Sequence, residues 1–108
     1  MSTSADSVRR AIAIRVNVTE EALVVELNDG RTLSAPVAWY PRLEHATHDE
    51  RAAWVLVGGG TGIHWDAIDE DISVEALIGG RASTESQASF GRWLAMRNSV
   101  APSAGAPG

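Results

Sequence analysis

Gly58-Gly59-Gly60-Thr61-Gly62 stands between two apolar runs, Val55-Leu56-Val57 and Ile63-His64-Trp65. So many glycines in succession stop a helix or a strand, because glycine has the most backbone freedom to lose and freely adopts positive φ. The stretch predicts a tight turn or bulge joining a fourth strand, Val55–Val57, to a fifth, Ile63–Trp65. A phosphate-binding loop needs its glycines between a strand and a helix, so that backbone amides converge on the anion. Here the glycines lead into another strand-like run, and the chain has no lysine to complete such a loop. Gly58, Gly59, Gly60 and Gly62 are therefore read as structural turn residues. Beyond them lies an acid-rich exit, Asp66-Ala67-Ile68-Asp69-Glu70-Asp71. Ser73 then caps a short helix through Val74, Leu77 and Ile78, which Gly79-Gly80 ends.

Upstream, Ile12, Ile14, Val16 and Val18 alternate with Ala13, Arg15 and Asn17, the period of a half-buried strand. Leu23, Val25 and Leu27 form a second such set, and Leu33, Ala35 and Val37 a third. The loop Asn28-Asp29-Gly30 sets their register. A two-residue turn would place Val25 opposite Ser34 and mix both faces. A three-residue loop places Val25 opposite Leu33 and Leu23 opposite Ala35, with Gly30 in the left-handed position of a bulged hairpin. Trp39-Tyr40-Pro41-Arg42-Leu43 predicts a short helix with Pro41 in its first turn. Thr47 and Glu50 have capping-box spacing for another, running towards Trp54. Thr84 and Gln87 repeat that spacing before a last helix, Glu85 to Arg97, with Phe90, Trp93 and Leu94 as its apolar stripe and Asn98 as its end.

The expected fold is thus α+β. A small mixed sheet, made of a three-stranded antiparallel meander and a glycine-turned strand pair, is joined by short helices and a C-terminal helix. The domain spans 8–80 and the last helix 81–98. Residues 1–7 are predicted to be disordered, and the Ala-, Pro- and Gly-rich 99–108 a flexible tail.

Charge is unevenly spread. The net charge is −5, and twelve of the 14 acids fall between Glu20 and Glu75, with only Arg31, Arg42 and Arg51 among them. The acidic body argues against a protein that coats nucleic acid. The absence of cysteine removes disulfides and thiolate metal sites and fits a reducing cytoplasm, the expected location. No signal-peptide pattern or membrane span is expected. A core this small often draws stability from a partner or from a homodimer.

Candidate chemistry is sparse. His45 and His48 lie near each other in sequence, and His64 lies near Asp66. Nothing brings the three within reach, so structural hydrogen bonds are expected, with no metal and no cofactor. Ser73, His64 and Asp66 are the residue types of a hydrolase triad, but no nucleophile-elbow pattern surrounds Ser73. Asp69 and Asp71 would point alike on a strand, too close to serve as separated acid and base. No enzyme is expected. Asp66, Asp69, Glu70, Asp71 and Glu75 lack the ligand alternation of a calcium loop. They suit a docking surface for a basic protein, with Trp39 and Trp65 as aromatic anchors.

The ordered set Trp39-Tyr40-Pro41-Arg42-Leu43, His45-Ala46-Thr47, Arg51, Trp54, Gly58-Gly59-Gly60, Gly62-Ile63-His64-Trp65 and Asp69-Glu70-Asp71-Ile72-Ser73-Val74 resembles domain-of-unknown-function family 2442. The resemblance covers about Ala11 to Gly80. It implies a compact prokaryotic α+β fold with no established enzymatic activity. Some members stand beside a small toxin-like protein and are read as antitoxins; others continue into a helix-turn-helix, for which the single helix here is too short. The expectation is a non-enzymatic interaction module that binds a protein partner, in its specific form a small basic toxin, through Trp39, Trp65, Asp66, Asp69, Glu70 and Asp71. The alternative is a DNA-associated transcriptional regulator using Arg81, Arg92 and Arg97. A third reading is a small-molecule or metal-binding enzyme centred on His64.

Overall fold

In a computed structural model, residues 11–105 are described. The expectations for 1–7 and for 106–108 lie outside them. Strands β1 (Ala13–Val18), β2 (Ala22–Leu27) and β3 (Thr32–Pro36) form an antiparallel meander in sequence order. Val25 stands opposite Leu33 and Leu23 opposite Ala35, the register that keeps one face dry. Gly30 has φ +95°, and Leu27 N–H donates to the Arg31 carbonyl at 2.8 Å across the three-residue loop. Leu23, Val25 and Leu27 are buried as a result.

β1 departs from simple alternation. Ala13 faces Leu27 but Arg15 faces Glu26, so Ile14 is an extra residue in the ladder. This bulge changes the parity of the strand. Ala13, Val16 and Val18 enter the core, while Ile14 turns out and is 51% exposed.

A 3-10 segment, Val37–Trp39, leads into α1 (Pro41–Glu44) and then α2 (His48–Ala52). The capping box forms as expected. Glu50 N–H donates to Thr47 Oγ1 at 3.1 Å, and Thr47 N–H donates to Glu50 Oε1 at 2.8 Å. Arg51 closes the other helix by donating to the Leu43 and Glu44 carbonyls at 2.9 and 2.8 Å.

The second sheet has three strands, β4 (Trp54–Val57), β5 (Gly62–Trp65) and β6 (Glu70–Ser73), again antiparallel and in sequence order. The expected strand pair thus gains a third member and lies in a sheet of its own. β6 is hard to read because Glu70 and Asp71 are poor strand formers by propensity. Gly58–Gly60 makes a 3-10 turn, closed by Thr61, whose Oγ1 donates to the Gly58 carbonyl at 2.9 Å. Gly60 has φ +99°, and a Cβ there would lie 2.9 Å from both the Ala13 carbonyl oxygen and Ile12 Cβ. The turn therefore sits directly against the start of β1, which brings the two sheets together.

Pairing sorts the second sheet into rows. Trp54, Trp65 and Glu70 form one row and Leu56, Ile63 and Ile72 another, and these face inward. Val55, His64 and Asp71, with Val57, Gly62 and Ser73, form the outer face. One core draws on both sheets and on Tyr40, Leu43, Ile68, Val74 and Leu77.

Ser73 Oγ accepts the Ala76 N–H at 3.0 Å and starts α3 (Val74–Ile78), as its sequence position predicts. The last helix, α4 (Gln87–Gly105), differs at both ends. Ser86 Oγ, rather than Thr84, accepts the N–H of Ser89 at 3.0 Å, because Glu85 is drawn away into an ion pair. At the other end the helix passes through Asn98, the predicted stop, and through the predicted tail as far as Gly105. Asn98 does not adopt the left-handed conformation that would end a helix. Among the described residues no helix is long and apolar enough to cross a membrane.

Candidate functional site

The residues predicted to form a partner-binding surface separate into two groups. Trp65 is fully buried, and its indole N–H donates to the Arg51 carbonyl at 3.1 Å. It anchors the core and not a partner. Glu70 is also buried, at 8% exposure, because it follows Trp65 in the inward row. Asp66, Asp69 and Asp71 are exposed, and Trp39 is 36% exposed at the end of its 3-10 segment. Of the six residues predicted for that surface, three acids and one tryptophan are exposed.

Two residues that sequence reasoning passed over join the exposed set. Val55 and Val57 are 50% and 41% exposed on the outer face of β4. Val55-Leu56-Val57 reads as a uniformly apolar strand. The two-residue period nevertheless places both valines opposite Leu56, and that was the available signal.

His64 occupies the middle of this outer face. Its Nδ1 lies 2.7 Å from Asp71 Oδ1 and its Nε2 3.5 Å from Asp66 Oδ1. Its pKa is raised, chiefly by the Asp71 hydrogen bond, against some loss of hydration, with the charges of Asp71 and Asp66 adding to the effect. One imidazole between two carboxylates orders the patch while leaving its balance acidic. His45 lies elsewhere, with Nδ1 3.1 Å from the Pro41 carbonyl and its ring edge-on to Phe90 at 5.2 Å. His48 is exposed in α2. Among the described residues no three His, Asp or Glu side chains gather as a metal site.

Arg42 and Arg97 hold α4 to the domain. The Arg42 guanidinium forks onto Glu85 at 2.6–3.0 Å and also donates to the Ile68 carbonyl at 3.0 Å. Arg97 forks onto Glu50 at 3.0 and 3.1 Å. Both guanidinium groups lie over Trp93, at 5.3 and 4.6 Å from the ring centre, and Phe90 stacks on the same indole at 5.7 Å. The arginine hydrogen bonds hold the Glu85 and Glu50 carboxyls below their ordinary range. Of the three arginines considered for nucleic acid, Arg97 is therefore committed internally. Arg81 and Arg92 are exposed.

This arrangement is that of a small α+β domain with a latched C-terminal helix, and it accounts for the ordered motifs. Pro41 opens α1, Arg42 and Arg51 tie loops together, Gly60 admits β1 and Trp65 fills the core. A family model described as "Protein of unknown function (DUF2442)" matches residues 13–83. The chain belongs to that family. No curated protein matches it at a significant level. Among solved structures it is similar to a protein of unknown function from Rhodospirillum rubrum, with 28% identity and a TM-score of 0.62. That match covers 72% of this chain and 96% of the other. It is also similar in fold to an uncharacterised protein from Chromobacterium violaceum, with 19% identity and a TM-score of 0.62, covering 89% and 86% of the two chains.

Proposed function

We propose that this protein is a non-enzymatic, cytoplasmic interaction module that binds a basic protein partner on the outer face of its second sheet. The observation that carries the reading is the composition of that face. Val55 and Val57 leave apolar surface uncovered beside Asp71 and His64, with the fully projecting Asp66 at the margin. Apolar contact gives a partner affinity, and the acids select one of opposite charge and speed its approach. The family resemblance motivates an antitoxin-like role in which the partner is a small basic toxin.

The test is co-expression with whichever small basic protein the neighbouring genes encode. Growth rescue and co-purification are expected, and both should be lost in a Val55→Asp, Asp66→Lys, Asp71→Lys variant that keeps its circular dichroism spectrum. A neighbour that kills equally with and without this protein would overturn the antitoxin role. Co-purification untouched by the triple variant would overturn the face. A gel shift at low salt is expected to leave DNA unmoved, since Arg81 and Arg92 alone are too few cations for phosphate binding.

A further inference from the structure

Along β6, the edge of the second sheet and the 81–84 segment border a cleft of about 390 Å³, which Asp71 and Ser73 of the outer rows also line. Tyr40, Glu70, Ala76, Arg81, Ser83 and Thr84 are among its walls. One of these is a buried polar group without the partner that burial normally demands, and a second is a carboxylate that no donor among the described residues reaches. The Tyr40 hydroxyl is fully enclosed and makes no hydrogen bond. Glu70, at 8% exposure, accepts no hydrogen bond among the described residues, and no ion pair reaches it. Burial pushes its carboxyl up to about 7, helped by the nearby charge of Glu85 and opposed by Arg42. Arg81 stands at the same cleft, exposed, with no ion-pair partner among the described residues.

Buried polar atoms in folded proteins are nearly always satisfied, and exceptions mark places where something else binds. The missing partner is a donor for Glu70 that the Tyr40 oxygen can also meet. An ammonium group offers three donors and a positive charge, enough for the carboxylate, the phenol oxygen and a Ser83 or Thr84 hydroxyl. A bare anion would be repelled by Glu70. A divalent cation would find too few oxygens, because the Asp71 carboxylate is turned to His64 on the other face. Arg81 supplies the complementary charge for an anionic end. We infer that this cleft binds a small zwitterion carrying a primary ammonium and a carboxylate, the class of a free α-amino acid, with the ammonium on Glu70 and Tyr40 and the carboxylate on Arg81. The volume suits a ligand of that size.

The experiment titrates the ¹⁵N-labelled full chain at about pH 8, where Glu70 is ionised, with glycine, serine, methylammonium and acetate at matched ionic strength. Saturable amide shifts at Glu70, Ile72, Arg81 and Ser83 are expected with an amino acid, weaker ones with methylammonium and none with acetate. Glu70→Gln and Tyr40→Phe, near-isosteric changes, should each weaken amino-acid binding by about tenfold or more. Arg81→Ala, on the exposed rim and harmless to folding, should weaken amino-acid binding by about tenfold while leaving methylammonium unchanged. The inference is overturned if neither amino acid gives saturable shifts, so that the cleft holds water only. It is equally overturned if acetate binds as well as methylammonium, or if binding survives Glu70→Gln undiminished. The variants used here leave Val55, Asp66 and Asp71 unchanged, so the two proposals are tested separately.

Discussion

Asp29 and Gly30 are neighbours in one loop yet differ in what they contribute. Asp29 accepts hydrogen bonds from the Arg31 backbone N–H at 3.0 Å and from its Nε at 2.9 Å, all at the surface. Gly30 holds φ +95° with open space where a Cβ would go. Gly30→Val should cost about 1–3 kcal/mol through backbone strain alone, and Asp29→Ala distinctly less, as urea unfolding would measure. Gly60 adds a steric demand to its positive φ, since its missing Cβ is the space that β1 occupies. Gly60→Ala should therefore lower the melting temperature more than Gly59→Ala, whose Cβ would meet nothing within 4 Å. On the outer face, Asp71→Asn should move the His64 pKa back towards its ordinary 6.5, read from the imidazole proton shifts. The sign follows from the raised value in the folded state. His64 adds stability that is fully present below 6.5 and is lost as pH rises through the folded pKa.

Among elements, α4 depends on few contacts. Its polar face is solvated, and Trp93 is the side chain on which Arg42, Arg97 and Phe90 converge. Trp93→Ala should cost about 2–3 kcal/mol from lost packing and cation–π contact. In hydrogen exchange it should release α4 amides while β1 to β6 stay protected. Arg42→Ala should do similar damage by stranding Glu85, whose side chain is 11% exposed beside an arginine at 14%. The apolar stripe Phe90, Trp93 and Leu94 was legible in the sequence, and so were the hairpin register and the Thr47–Glu50 box, because each rests on local spacing. What escaped the sequence was set by distant partners. Ser86 became the cap of α4 because Glu85 is held by Arg42. β6 hid behind its acids, and with it the inward turn of Glu70. Trp65 looked like a surface anchor because its residue type suits interfaces, whereas its strand parity assigns it to the core.

For the molecule as a whole, pH should act through carboxyls with opposite tendencies. Glu70 has its pKa raised from 4.5 to about 7 by burial, with Glu85, Asp71 and Asp69 pushing the same way and Arg42 against. The folded state therefore holds a proton that the unfolded chain has released, and stability falls as pH climbs from 4.5 to 7. Glu70→Gln should add about 2–3 kcal/mol at pH values above that window and little below it, as denaturant midpoints at the two extremes would report. Glu50 and Glu85 behave conversely, losing their contribution as pH falls below the ordinary 4.5. The most stable condition should lie on the mildly acidic side, between these two limits. The strand order has a further consequence, in time instead of energy. Each strand pairs with its neighbour in sequence, and among the described residues no strand crosses from one sheet to the other. Ring closures are short, so each meander can collapse on its own before the other has formed. The slow event should be their docking, when the Gly60 turn meets β1, and in stopped-flow refolding Gly60→Ala should retard that step more than it speeds unfolding.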